Sequence, residues 1–117
     1  MAERNFSTGD VVQHFKRELC KESELLENPN KYLYIFRRVA THTETGDKLV
    51  IYDSMYPPFE SYARPYDMFM SEVDCDKYPD VKQQYRLEKI TDLDKITSAL
   101  KEYHDKFMYD LTTPATN

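Results

Sequence analysis

The segment Lys31-Tyr32-Leu33-Tyr34-Ile35-Phe36-Arg37-Arg38-Val39-Ala40-Thr41-His42-Thr43-Glu44-Thr45-Gly46-Asp47-Lys48-Leu49-Val50-Ile51-Tyr52-Asp53 sets the architecture of this chain. Both of its arms are rich in β-branched and aromatic residues, which suit a pleated, half-buried surface. Between them, Thr43-Glu44-Thr45-Gly46 supplies a tight turn. Turn residues followed by glycine match a type I turn with the glycine left-handed, the usual three-residue hairpin loop. The alternation slips at Arg37-Arg38, which predicts a bulge there. The reading is a long hairpin with strands over 31–42 and 48–53.

On the N-terminal side, residues 1–8 read as a flexible polar lead-in, and Gly9-Asp10 as a turn. Val11-Val12-Gln13-His14-Phe15 reads as a strand. Residues 18–30 form an acidic insertion with one or two helical turns, stopped by Asn28-Pro29-Asn30. On the C-terminal side, Met55-Tyr56-Pro57-Pro58 is a stiff loop, because each proline fixes its own φ and restricts its predecessor. Glu60–Arg64 is a short strand, and Pro65 fits the first position of a single helical turn, Pro65–Phe69. Residues 72–79 are acidic loop and 83–90 the last strand. Thr91 is the expected N-cap of a helix over 91–111. Its Leu93, Ile96, Leu100, Tyr103, Phe107 and Leu111 recur at spacings of three and four, giving one apolar stripe that packs on the roll. Residues 112–117 are a polar tail.

A chain of 117 residues holds one domain. At this size folding buries roughly two thirds of the exposed surface, enough for a core without metal or disulfide staples. The net charge is −5, from 16 Lys+Arg against 21 Asp+Glu. Tight nonspecific nucleic-acid binding uses a basic field, so this balance disfavours it. Cys20 and Cys75 have no CxxC spacing, the first residues lack a signal-peptide core, and no run reaches the length of a membrane span. The expectation is a cytoplasmic, reduced protein with no membrane contact, present as a monomer or weak dimer.

Three blocks resemble a small bacterial family of uncharacterised proteins, domain of unknown function 1653. They are His14-Phe15-Lys16, then Ala40-Thr41-His42-Thr43-Glu44-Thr45-Gly46-Asp47-Lys48-Leu49-Val50-Ile51-Tyr52, then Arg64-Pro65-Tyr66-Asp67-Met68-Phe69. Their order and spacing follow the family's pattern over residues 9–90. Arg17 stands where the family has glycine, Tyr62 where it usually has tryptophan, and Tyr85-Arg86-Leu87 where it has Pro-Arg-Phe. The 18–30 segment is longer than the family's turn, and the C-terminal helix lies outside the resemblance. The resemblance implies a mainly β protein: a small SH3-like β-roll or barrel of about five strands, here with an appended C-terminal α-helix. It implies no reaction.

The side chains offer several chemistries. His42 and Glu44 are the candidate acid–base pair, because imidazole titrates near neutral pH and a carboxylate can orient it. The competing reading makes Glu44 a turn residue and His42 a strand-end hydrogen-bonding group. Metal binding by His14, His42, Cys20 and Cys75 would require convergence from four separate places, so no metal is expected. Cys20 and Cys75 lie among acids, which raises a thiol pKa. Two glycines exclude phosphate-loop and dinucleotide motifs, and no cofactor is expected. Arg64 offers a rigid donor fork, either for an internal salt bridge to Glu44, Asp67 or Glu60, or for an anion captured together with Lys16, Arg37 or Arg38. Tyr52, Tyr56, Phe59, Tyr62 and Tyr66 cluster around the Pro-rich connection, and a roll this small cannot bury every ring. The leading expectation is a non-enzymatic binding module. Its aromatic-plus-arginine face uses Arg64, His14, Lys16, Tyr52, Tyr62 and Tyr66, with Gly46 and Pro65 shaping turns, for a protein, peptide or small anionic ligand. The alternatives are a small enzyme or enzyme-associated domain with a His/Glu/Arg cluster, and a weak nucleic-acid or nucleotide binder.

Overall fold

A computed structural model describes residues 4–112, with side chains to residue 107. The chain is mainly β. Its strands are β1 (Val11–His14), β2 (Leu33–Thr41), β3 (Lys48–Ser54), β4 (Ser61–Pro65) and β5 (Leu87–Lys89). They form one open antiparallel sheet in the order β4-β3-β2-β1-β5. A 3₁₀ turn (Phe15–Leu19) and α1 (Glu22–Glu27) follow β1, α2 (Tyr66–Phe69) follows β4, and α3 (Leu93–Thr112) closes the described chain.

The central strand explains the broken alternation. Leu33, Tyr34, Ile35 and Phe36 are all buried, because β2 is covered on both faces over this half. Val12, Tyr34, Phe36, Val50, Tyr52, Phe69 and Leu87 form one cluster on the concave face. Val11, Leu33, Ile35, Met55 and Ala99 form a second on the opposite face, under α3. The β2–β3 register shifts between Phe36 and Arg38, where the sequence predicts the bulge. Beyond it the strand is mostly exposed.

Several local expectations are corrected. The hairpin connection is one residue longer than a three-residue loop. The Gly46 N–H donates to the His42 carbonyl (2.8 Å), and His42 N–H donates to the Asp47 carbonyl (2.8 Å), so residues 43–46 span the turn. Gly46 does take the left-handed conformation, φ +76°. Pro65 is the extended cap residue of α2, which begins at Tyr66. Asp92, not Thr91, caps α3: its Oδ1 accepts from the N–H groups of Asp94 (2.9 Å) and Lys95 (3.3 Å). The last strand is only Leu87–Lys89, with Tyr85 held by an isolated bridge to Glu72. The acidic insertion is tied to the roll, since Glu18 accepts from the N–H groups of Lys82 and Gln83 (2.9 and 2.8 Å).

The face that α3 buries keeps Ile96, Tyr103 and Phe107 of the expected stripe but leaves out Leu93 and Leu100. Ala99 is 3% exposed, while Leu100 is 40% and Leu93 77% exposed. Ile96, Ala99 and Tyr103 meet the sheet, and Phe59 packs its ring on Tyr103 and Phe107 at 5.9 and 5.6 Å. Asn30 explains the small residue: its Nδ2 donates to the Ala99 carbonyl at 2.8 Å, which requires close approach to the helix backbone. Leu111 lies outside the described side chains, and residues 1–3 and 113–117 outside the described chain. Within the expected lead-in, Phe6 stacks on Phe36 at 5.5 Å, and Arg4 donates to the carbonyls of Met70 and Leu87.

Candidate functional site

Side chains two apart on a strand share a face. On β1 these are Val12 and His14, which lie opposite Lys89 and Leu87 of β5, with Val12 also opposite Tyr34 of β2. On β3 they are Val50 and Tyr52, opposite Arg64 and Tyr62 of β4. Tyr34 packs edge-on to Tyr52 at 5.2 Å and to Tyr56 at 5.8 Å, and Tyr52 meets Tyr62 at 5.7 Å. Tyr32 continues this aromatic wall to His14, with ring centroids 6.2 Å from Tyr56 and 5.7 Å from His14. Tyr32 has φ +66°, a left-handed conformation that a bulky side chain rarely adopts. Its carbonyl accepts from the His14 N–H at 3.0 Å, which ties the strained residue to the imidazole-bearing strand. Burial, followed by the 2.9 Å hydrogen bond to Tyr56, pushes the Tyr34 hydroxyl well above the usual phenol range.

His14 is 7% exposed. Its Nδ1 accepts from the Lys16 N–H at 3.1 Å, so the neutral ring carries its proton on Nε2. Burial, then the charges of Arg64, Arg86 and Lys16, lower its pKa to about 4. Arg64 acts on it more strongly than Lys16, two residues away. In the sheet order, β4 and β1 are three spacings apart, about 14 Å if the sheet were flat. Arg64 and His14 lie on the same face of the sheet, and the long arginine side chain carries its charge across that gap toward the imidazole.

Arg64 is half-buried, but the expected salt bridge to Glu44, Asp67 or Glu60 is absent among the described residues. Its Nε donates to the Tyr52 hydroxyl at 3.0 Å. The register explains the difference: Arg64 points with Val50 and Tyr52 onto the concave face, while Glu44 sits exposed at the hairpin tip. Arg86, half-buried, donates through Nε to the Ser71 hydroxyl at 3.2 Å. Neither these two arginines nor Lys16 makes an ion pair among the described residues. By contrast, Arg37 pairs with Asp53 at 2.6 Å, Lys31 with Glu24 at 3.0 Å and Lys89 with Asp10 at 3.5 Å. Arg37 is thus committed elsewhere and is no partner for Arg64.

The other expected site residues are not brought to this face. His42 is exposed, and its Nδ1 accepts from the N–H groups of Glu44 (3.1 Å) and Thr45 (3.3 Å), which makes it a cap of the turn. A groove beside it is lined by Pro65, Tyr66 and Asp67, with neither Arg64 nor Glu44. Tyr66, 40% exposed, belongs to that groove and has no ring contact with Tyr52 among the described residues. Phe59 leaves the expected cluster for α3. No three His, Cys, Asp or Glu side chains converge among the described residues. Cys20 and Cys75 are free thiols, and burial followed by Glu24 pushes the Cys20 thiol up. Arg86, Tyr32 and Tyr34 join the face unannounced by any local motif. The pairing of β1 with β2 brings Tyr34 there, and the pairing of β1 with β5 brings the Arg86 segment alongside His14.

The fold and the face define a mainly β, five-stranded antiparallel protein with a C-terminal helix and a basic, aromatic concave surface. The family described as Protein of unknown function (DUF1653) matches residues 10–89, more than half of the chain, and the chain belongs to that family. No curated protein and no solved structure matches it.

Proposed function

We propose that this protein is a non-enzymatic binding module that takes an anionic group on its concave face. One observation carries the reading: a buried, neutral imidazole sits within the field of Arg64, Arg86 and Lys16, and none of these cations has a carboxylate partner among the described residues. In a chain of net charge −5, acids to pair with them are plentiful. A preorganised set of donors without an internal anion suits a phosphate or carboxylate from outside. The neutral His14 would donate from Nε2, Arg64 and Arg86 from their terminal nitrogens, and the tyrosine wall would hold the organic part of the ligand.

The sheet order β4-β3-β2-β1-β5, with α2 in the β4–β5 connection, supports an SH3-like roll as the finer description of the fold. The site fits a cytoplasmic protein acting as a monomer or weak dimer on a small anion, an acidic peptide or an acidic protein partner. Thermal unfolding with inorganic phosphate, a nucleoside monophosphate, short single-stranded RNA and an acidic peptide tests the reading, because a ligand of the native state raises stability by mass action. Stabilisation by at least one of these anions, lost in Arg64→Gln and Arg86→Gln, is the expected result. Stabilisation by none, or by anions equally in both variants, overturns it.

A further inference from the structure

A cavity of about 430 Å³ lies on the opposite face, between the 3₁₀ turn, the chain before β2 and the first turns of α3. Small-molecule sites fall in the range of ~300–1,000 Å³. Leu33, Ile90 and Ala99 give the cavity an apolar floor. Its polar end is built around Asn30, which is 3% exposed. Asn30 Nδ2 donates to the carbonyls of Ala99 (2.8 Å) and Met55 (3.3 Å). Two carbonyl acceptors settle which way the amide points. They leave Oδ1 with no donor among the described residues. No buried side-chain nitrogen or oxygen there is sealed without a partner, so this oxygen reaches open space in the cavity that Asn30 lines.

Arg17 stands at the same end. Its Nη1 donates to the carbonyl of Lys31, the residue after Asn30, at 2.7 Å. The guanidinium is half-buried, lines the cavity and makes no ion pair among the described residues. Its Nε and Nη2 donate to no described group. The cavity therefore carries a half-buried cation with free donors, Arg17, the open Asn30 oxygen beside it, and on its α3 wall the carboxylate of Asp94 next to a second cation, Lys95.

We propose that this cavity binds an apolar α-amino acid. Its carboxylate lies on Arg17, its ammonium on Asn30 Oδ1 and Asp94, and its side chain on Leu33, Ile90 and Ala99. A simple carboxylate would leave the Asn30 oxygen unmet, and a simple amine would leave the Arg17 donors unmet; a zwitterion satisfies both. α3 lies outside residues 10–89, so the cavity is closed by a part of the chain beyond the family match. The site shares no lining residue with the concave face, and either can fail without the other.

Isothermal titration of the full chain with L-leucine, L-valine and L-phenylalanine, with acetate and isobutylamine as half-ligands, tests this. At least one amino acid binds, neither half-ligand matches it, and the Asn30 side-chain amide resonances move on binding. Arg17→Gln weakens binding at least about tenfold, as loss of a charge-assisted contact does. Ser98→Phe fills the mouth of the cavity from an exposed helix position, so it blocks binding in a chain that still folds. Arg64→Gln binds the amino acid as the parent does. Absence of binding by all three amino acids overturns the proposal, as does binding indifferent to both Arg17→Gln and Ser98→Phe.

Discussion

His14 is held neutral by burial among cations, and its protonation therefore opposes folding. Its folded value, about 4, lies below the usual imidazole value of 6.5. The unfolded chain thus takes the proton first. The contribution is fully present above pH ~6.5 and is lost as pH falls toward 4, a difference on the order of 3 kcal/mol. Urea unfolding at pH 7 and pH 4.5 should show a larger loss of stability for the parent than for His14→Gln. Equal losses would mean that the imidazole is freely solvated. For Arg64, a salt bridge would make Arg64→Lys strongly destabilising. The single 3.0 Å bond to Tyr52 instead predicts a cost of only about 1 kcal/mol. Tyr52→Phe should cost a similar amount, and a much larger loss in Arg64→Lys would reveal an ion pair. At this scale the sequence was informative about residue types but not about partners. His14 and Arg64 stand out in their blocks, whereas Arg86 becomes their neighbour only through long-range pairing.

Among the elements, the hairpin was legible because its signals are local: propensity, a glycine at the turn and a slip in alternation at the bulge. Gly46 has φ +76° and nothing within 4 Å of where a Cβ would stand. Gly46→Ala should therefore cost only the backbone strain, about 1 kcal/mol, and denaturant midpoints will show it; an unchanged midpoint would remove the strain. The helix itself was legible, and its buried face in part: Ile96, Tyr103 and Phe107 of the expected stripe pack inward, whereas Leu93 and Leu100 do not. Spacing favours large residues, and the stripe through Leu93 and Leu100 satisfies it. The face actually buried runs through Ala99, because the Asn30 amide must reach a helix carbonyl and only a small side chain leaves it room. Leu100→Ala should then cost less than about 1 kcal/mol, while Ala99→Leu, forced into a packed contact, should cost about 1–3 kcal/mol. The reverse order in urea unfolding would restore the stripe expected from spacing.

At the scale of the whole molecule, the open sheet has two faces that share β1 and β2 but carry different chemistry. The pleat makes the difference: adjacent residues Val11 and Val12 serve opposite clusters, and Arg64 lies on the same face as His14, where its charge adds to the burial that disfavours the imidazolium. No sequence pattern encodes that arrangement, since it is a property of strand order rather than of any segment. The same arrangement gathers three cations without an internal counter-charge, and this is what the proposed anion site rests on. The most direct measurement is a two-dimensional NMR titration of the chain with inorganic phosphate, following the His14 imidazole and the backbone of residues 12–16, 62–65 and 85–88. The account predicts shifts concentrated on these three segments, a rise in the His14 pKa as the bound anion offsets the surrounding cations, and loss of both in Arg64→Gln. Shifts absent, spread evenly over surface lysines, or unchanged by Arg64→Gln would contradict it.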